Sequence, residues 1–135
     1  MAVPLRIPVR FEDVFPAGAF VLGVEPVNDF EKVQAQVSDA QERDKDSGER
    51  LWAVRVLDAD PAARAGSAEL RVKIAAPVQP VVPDVLPGTP FRPVEFEGLT
   101  LTPYVDTSRS RPRQAYSLRA TALRPVKHAG RPQAA

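Results

Sequence analysis

Leu70, Val72 and Ile74 alternate with Glu69, Arg71 and Lys73. This period of two marks a strand with one face buried and one face wet. The same period runs through Glu49 to Asp58, where Trp52, Val54 and Val56 share one face and Leu51, Ala53, Arg55 and Leu57 the other. It recurs between Ala17 and Val27, where Phe20, Leu22 and Val24 line one side before Pro26 closes the run. Lys45-Asp46-Ser47-Gly48 separates Gln41–Asp44 from Glu49–Asp58 and predicts a hairpin turn, with glycine where a positive φ is needed. Asn28-Asp29-Phe30-Glu31 has the form of a capping box, which predicts a turn or two of helix to about Gln36. Asp60 to Ser67 reads as a polar connection.

Prolines 77, 80, 83, 87, 90 and 93 rule out a regular helix or central strand between them and predict an extended crossover along the surface. Val94 and Phe96 then alternate with Glu95 and Glu97 until Gly98, where the apolar set changes parity before Leu99-Thr100-Leu101; a bulge or kink is expected there. Asp106 to Gln114 is a polar, arginine-rich loop. Ala115 to Arg124 forms a last strand with Tyr116, Leu118, Ala120 and Ala122 on one face.

Five strand regions and almost no helix predict an all-β protein. The expected form is a small five-stranded OB-like barrel over residues 1–126, with a proline-rich crossover between the third and fourth strands. Residues 127–135 are expected to form a flexible, disordered basic tail. An immunoglobulin-like sandwich competes but needs about seven strands. Leu22, Val54, Val56, Val72, Ile74, Phe96 and Leu118 are the expected inward-facing set.

Composition narrows the chemistry. The 135 residues include no cysteine and a single histidine, His128. These exclude disulfide scaffolds, thiol nucleophiles, cysteine-rich or multi-histidine zinc sites and histidine-based triads. Asp44-x-Asp46-x-Gly48 is superficially like a calcium loop, but Arg55 stands where that loop needs its bidentate glutamate. Asp58 and Asp60, at a strand end beside Pro61, read as turn formers. The glycines are scattered, so no phosphate loop is built from them. A non-enzymatic protein without cofactor or metal is expected. No apolar run approaches 18 residues and the N-terminus lacks a signal-peptide layout, so a cytoplasmic location is expected.

Charge adds a direction. The formal net charge is +1, yet residues 107–135 carry Arg109, Arg111, Arg113, Arg119, Arg124, Lys127 and Arg131 with no acidic group. The remainder of the chain is therefore acidic overall, and such asymmetry points to a polyanion partner. Tyr104 and Tyr116 flank the arginine-rich loop, Arg119 and Arg124 continue along the last strand, and Trp52 and Arg55 lie on the second strand. Basic side chains interleaved with aromatic ones are the equipment of single-strand binders. Arg109, Arg111, Arg113, Arg119 and Arg55 are the candidate phosphate contacts; Tyr104, Tyr116 and Trp52 are the candidate stacking platforms. For Trp52 and Tyr116, which sit on apolar faces, a core role competes.

Several blocks occur together: Phe11-Glu12-Asp13-Val14-Phe15-Pro16, Arg43-Asp44-Lys45-Asp46-Ser47-Gly48, Trp52-Ala53-Val54-Arg55-Val56, Val72-Lys73-Ile74-Ala75, and Pro87-Gly88-Thr89-Pro90-Phe91-Arg92-Pro93-Val94-Glu95-Phe96-Glu97-Gly98-Leu99. As a set, over about residues 7–124, they resemble the replication, integration and excision activator proteins of actinomycete integrative conjugative plasmids. That resemblance implies positive control of a mobile element and brings no catalytic residues with it. In architecture, the hairpin, Leu70–Ile74, Pro87-Gly88 and Leu118-Arg119-Ala120-Thr121-Ala122-Leu123-Arg124-Pro125 are similar to filamentous-phage single-stranded DNA-binding proteins, which are dimeric OB-folds that stack bases on aromatic side chains.

The expectation is a DNA-binding accessory protein of a mobile element that prefers single strands and forms a homodimer. The alternative is a protein-interaction module that recruits a replication initiator or transcription machinery without touching DNA, which the acidic body favours. No helix-turn-helix pattern supports direct duplex binding.

Overall fold

The alternation is cleanest in β3 (Leu51–Asp58) and β4 (Glu69–Ala75), and these two strands form the regular centre of the sheet. They pair antiparallel from Leu51↔Ala75 to Leu57↔Glu69, which puts Val54 directly opposite Val72. The computed structural model describes residues 6–36, 38–63, 68–108 and 110–126. Arg109 and residues 127–135, including His128, Lys127 and Arg131, lie outside the described residues.

Around that centre the described residues add β1 (Ile7–Pro8), α1 (Phe11–Val14), β2 (Ala19–Pro26), α2 (Phe30–Gln34), β5 (Pro93–Glu97), β6 (Thr100–Asp106), β7 (Arg113–Ala120) and β8 (Ala122–Pro125). The sheet order is β1-β6-β7-β4-β3-β2-β5-β8, with every pairing antiparallel except β4 with β7. The protein is all-β in class, an open and strongly curled half-barrel. This corrects the five-stranded barrel. Two of the five strand regions are each broken in two, and Ile7–Pro8 contributes an additional short edge strand. The breaks face each other: Gly98 and Leu99 separate β5 from β6, and Thr121 separates β7 from β8. Across the gap, Thr121 donates through both its N–H (2.9 Å) and its Oγ1 (3.0 Å) to the Glu97 carbonyl. One long, bent hairpin therefore supplies β5 and β8 at one margin of the curled sheet and β6 and β7 near the other, where β1 forms the edge.

Gly98 makes that bend. Its φ is 62°, and a Cβ there would come within 2.7 Å of Thr121 Oγ1. Gly98→Ala is expected to cost about 1–2 kcal/mol from the left-handed backbone alone, before any displacement of Thr121. Urea denaturation followed by circular dichroism measures it.

The core fills the concave side. Val54, Val56, Val72, Ile74, Phe96 and Leu118 are buried, as the alternation predicts, together with Ala19, Val21, Val94, Leu99 and Ala120. Leu22 departs from its expected inward position and is 46% exposed. The register of β2 against β3 slips between Val21↔Val56 and Gly23↔Arg55, so Leu22 occupies a bulge and Val21 takes the inward place. The end of the half-barrel is plugged by Phe15, which is 1% exposed, with ring centroids 5.2 Å from Phe11 and 6.3 Å from Phe96. Phe11, Val14 and Phe15 have the i, i+3, i+4 spacing of one helix face, which explains why so short a helix as α1 docks at all.

The helix after β2 starts one residue later than the capping box at Asn28 predicts. Asp29 is the cap, its Oδ1 accepting from the N–H of Glu31 (2.9 Å) and of Lys32 (3.4 Å). The turn at Lys45–Gly48 forms as expected, with Gly48 at φ 74° and its N–H on the Asp44 carbonyl at 2.8 Å. Its first arm, Gln41–Asp44, is held by the isolated bridges Asn28↔Gln41 and Arg43↔Arg50 rather than by a continuous strand. No strand or helix occurs between Pro77 and Arg92, in keeping with a crossover. No helix among the described residues is long and apolar enough to cross a membrane.

Candidate nucleic-acid interface

The hairpin of β6 and β7 extends beyond its pairing with the strand on either side. The two strands pair from Thr100↔Arg119 out to Asp106↔Arg113. On one side β1 reaches only Thr100 and Leu101, and on the other β4 reaches only Leu118 to Ala120. Among the described residues no strand flanks the stretch from Thr102 to Ser117, so it stands out from the sheet as an arm with both outer edges unpaired.

Register then sorts the arm into two faces, because residues directly opposite one another share a face and neighbours along a strand alternate. One face carries Asp106 and Arg113 at the tip, then Tyr104 with Ala115, Thr102 with Ser117, and Thr100 with Arg119. Beyond Arg119 this face continues onto β4 at Lys73, its register partner. The other face carries Val105 with Gln114, Pro103 with Tyr116, and Leu101 with Leu118, the last of which is core. The arginine-rich loop is shorter than the sequence suggests, since β7 begins at Arg113 and only residues 107–112 connect the strands.

These faces decide how the expected site residues relate. Arg111 and Arg113 are exposed at the tip, and Tyr104, 49% exposed, lies on the face that leads back from Arg113 to Lys73. Tyr116 is 55% exposed rather than core, because the face that buries Leu118 runs past the end of the core before it reaches Tyr116. It points away from Tyr104, so the two tyrosines present separate platforms. Trp52 lies on the concave face opposite Ile74, half-buried, with its indole N–H on the Ala76 carbonyl at 3.0 Å. Arg55 stands further along β3 in an ion cluster, 4.0 Å from Glu25 and 3.8 Å from Glu69. Neither Trp52 nor Arg55 joins the arm.

Arg119 is on the right face but is already engaged. Its Nη2 donates to Asp44 Oδ1 at 2.7 Å, and the two side chains are only 21% and 8% exposed. Asp44 also accepts from the N–H and Oγ of Ser47, each at 3.0 Å. The Ser47 N–H first, and the Arg119 guanidinium next, hold the Asp44 carboxyl well below its usual range, at about 2. The aspartate that opens the calcium-like sequence thus closes its own turn and ties it to β7. Arg124 is likewise committed, to Glu95 (3.1 Å) and Glu97 (2.8 Å).

Beside this tie lies a cleft of about 510 Å³ between the segment that carries α2 and the Lys45–Gly48 turn and the outer face of β4 and β7. Lys32, Lys45 and Lys73 line it, with Arg43, Ser117 and Arg119 among the others. The lysines escape a sequence-only reading because they come from a helix, a turn and a strand of the acidic body. The alternation of β4 does put Lys73 on the outer face, but nothing in the chain announces that Lys32 and Lys45 meet it. Comparisons with protein-family models, with curated proteins and with solved structures find no match.

Proposed function

We propose that this protein is a non-enzymatic accessory protein that binds single-stranded DNA along the projecting hairpin, and that it serves the replication, integration or excision of a mobile element. The observation that carries the reading is the arm itself. It stands clear of the sheet, ends in exposed Arg111 and Arg113, and presents Tyr104 on the same face as Arg113. A single strand can lay its phosphates against the arginines and a base on the tyrosine ring. A duplex offers no such free base face. The strand order supports an OB-like reading of the half-barrel: β2, β3 and β4 form a meander, β7 runs parallel beside β4, and β5 returns to β2. The resemblance to plasmid activators supplies the biological setting. A homodimer belongs to the same proposal, since the unpaired arm edges and the exposed Val105 and Tyr116 suit a second copy.

Fluorescence anisotropy with single- and double-stranded oligonucleotides tests the reading. The single strand is expected to bind more tightly at every salt concentration. Tyr104→Ala is expected to weaken it by about 1–3 kcal/mol with little change in salt dependence, as for the loss of a stacking contact. Equal binding of Tyr104→Ala and the parent would remove Tyr104 from the site.

The apolar face of the arm favours the second reading, a module that recruits a replication initiator or transcription machinery through Val105 and Tyr116. Failure of the parent protein to bind either oligonucleotide at low salt would select it.

A further inference from the structure

We infer that the cleft lined by Lys32, Lys45 and Lys73 is a second phosphate site, which takes the backbone of the same single strand after it leaves the hairpin. The inference rests on the single-strand reading and extends it to a surface that the arginine-rich segment does not include.

The cleft is built rather than incidental. Its outer wall is closed on itself by Asp29 N–H on the Ala40 carbonyl (2.7 Å) and is fixed to the sheet by Gln41 Nε2 on the Leu51 carbonyl (2.8 Å) and the Asp44–Arg119 pair. These contacts hold a helix, a turn and a strand edge around one space. The arginines in it are already paired with acids, Arg6 with Asp46 at 4.0 Å, Arg43 with Asp39 at 3.2 Å and Arg119 with Asp44. The lysines are not: among the described residues no ion pair or hydrogen bond engages the side chain of Lys32, Lys45 or Lys73. Asp29 and Glu42 also line the cleft, yet six basic groups stand there against three acidic ones, and a bound anion offsets that excess.

Position connects the cleft to the arm. Ser117 and Arg119 form part of its wall, and Ser117 is two residues from Ala115, the register partner of Tyr104. From Arg113 to Arg119 along β7 is about 20 Å, at roughly 3.3 Å per residue. One continuous track therefore runs from the arginine tip, past Tyr104 and the Ser117 hydroxyl, to the three lysines. A strand on this track meets flexible, sequence-tolerant ammonium groups at one end and planar guanidinium groups at the other.

The test compares salt dependence of binding to a fluorescein-labelled 20-nucleotide oligothymidine between 50 and 200 mM NaCl. It uses the full-length parent, the triple variant Lys32→Gln/Lys45→Gln/Lys73→Gln, the double variant Arg111→Gln/Arg113→Gln, and the charge-preserving triple Lys→Arg variant. Each phosphate contact contributes about 0.7 to the logarithmic slope, so the lysine-to-glutamine variant is expected to flatten it by about two units, equivalent to roughly a 16-fold smaller loss of affinity over that range. The arginine variant is expected to flatten the slope separately, and the Lys→Arg variant to restore the parent slope. A lysine-to-glutamine variant with the parent slope overturns the cleft site and leaves the hairpin reading standing. A parent protein that does not bind the oligonucleotide overturns the hairpin reading as well. Thermal melts by circular dichroism check that each variant is folded.

Discussion

Phe15→Ala is expected to lower the free energy of unfolding by about 3–5 kcal/mol, the range for truncating a fully buried aromatic ring. Phe15 closes the end of the half-barrel, where it meets Phe11 and Phe96, and its backbone closes α1 through a 2.9 Å bond from its N–H to the Phe11 carbonyl. Alanine would leave a cavity that the surrounding strands cannot fill, because Phe96 is fixed in β5 and Leu99 sits in the break after it. Domains of this kind have about 5–15 kcal/mol in total, so the variant should approach the margin of folding at 37 °C. Phe11→Ala, at a position that is only partly buried, should cost clearly less. Urea denaturation followed through Trp52 fluorescence and circular dichroism measures both. A loss below about 1 kcal/mol for Phe15→Ala would mean that α1 is not docked on the sheet.

Arg119→Ala should have the next largest effect on stability, about 2–3 kcal/mol. Removing one partner of a buried pair strands the other charge, and full burial of both commonly costs 3–5 kcal/mol. The loss is smaller here because Ser47 still donates twice to Asp44 and water reaches Arg119. In a double-mutant cycle with Asp44→Asn, most of the effect should appear as coupling between the two residues. The pair also sets an acid limit. Asp44 has a folded-state pKa of about 2 against an ordinary 3.8, so the folded state binds its proton later than the unfolded chain does. Its contribution is therefore complete above the ordinary value and is lost as the pH falls from about 4 toward 2. Asp39, held at about 2 chiefly by its hydrogen bond from Arg50, acts in the same window. Urea midpoints at pH 7, 4 and 3 should show the decline, and Arg119→Ala should show a shallower one. An unchanged profile in that variant would mean that Ser47 alone holds the carboxylate.

Alternation carried the centre of the fold, because Val54 and Val56 of β3 and Val72 and Ile74 of β4 share one buried face, although Leu51 and Ala53 are buried on the other face of β3. It misled at Leu22, where a bulge beside Gly23 shifts the parity; a glycine inside a strand pattern is the signal that marks such a slip. Gly98 was legible as a bend, since glycine and a parity change coincide there. Its counterpart at Thr121 was not, because threonine is an ordinary strand residue and only the packing against Gly98 makes it a break. Tyr116 shows the limit most clearly. Its position in the alternation is that of a core residue, and what exposes it is how far β4 runs beside β7, a property of neither strand's own sequence. The charge asymmetry directed attention to Arg111 and Arg113, which the structure leaves exposed, and equally to Arg119 and Arg124, which it pairs with acids. The Asp44–Arg119 contact joins residues 75 apart, and the three cleft lysines come from separate elements. Such sites appear only once the chain is folded.

Backbone amide chemical shifts of the ¹⁵N-labelled protein, titrated with an oligothymidine, follow the path of the strand residue by residue. The perturbed residues should form one track, from Arg111 and Arg113 through Tyr104, Ala115 and Ser117 to Lys73, Lys45 and Lys32. Residues of the proline-rich crossover, such as Val81, should stay unmoved. Shifts concentrated on the crossover or on the Arg55–Glu25 cluster, or no shifts at all, would contradict it.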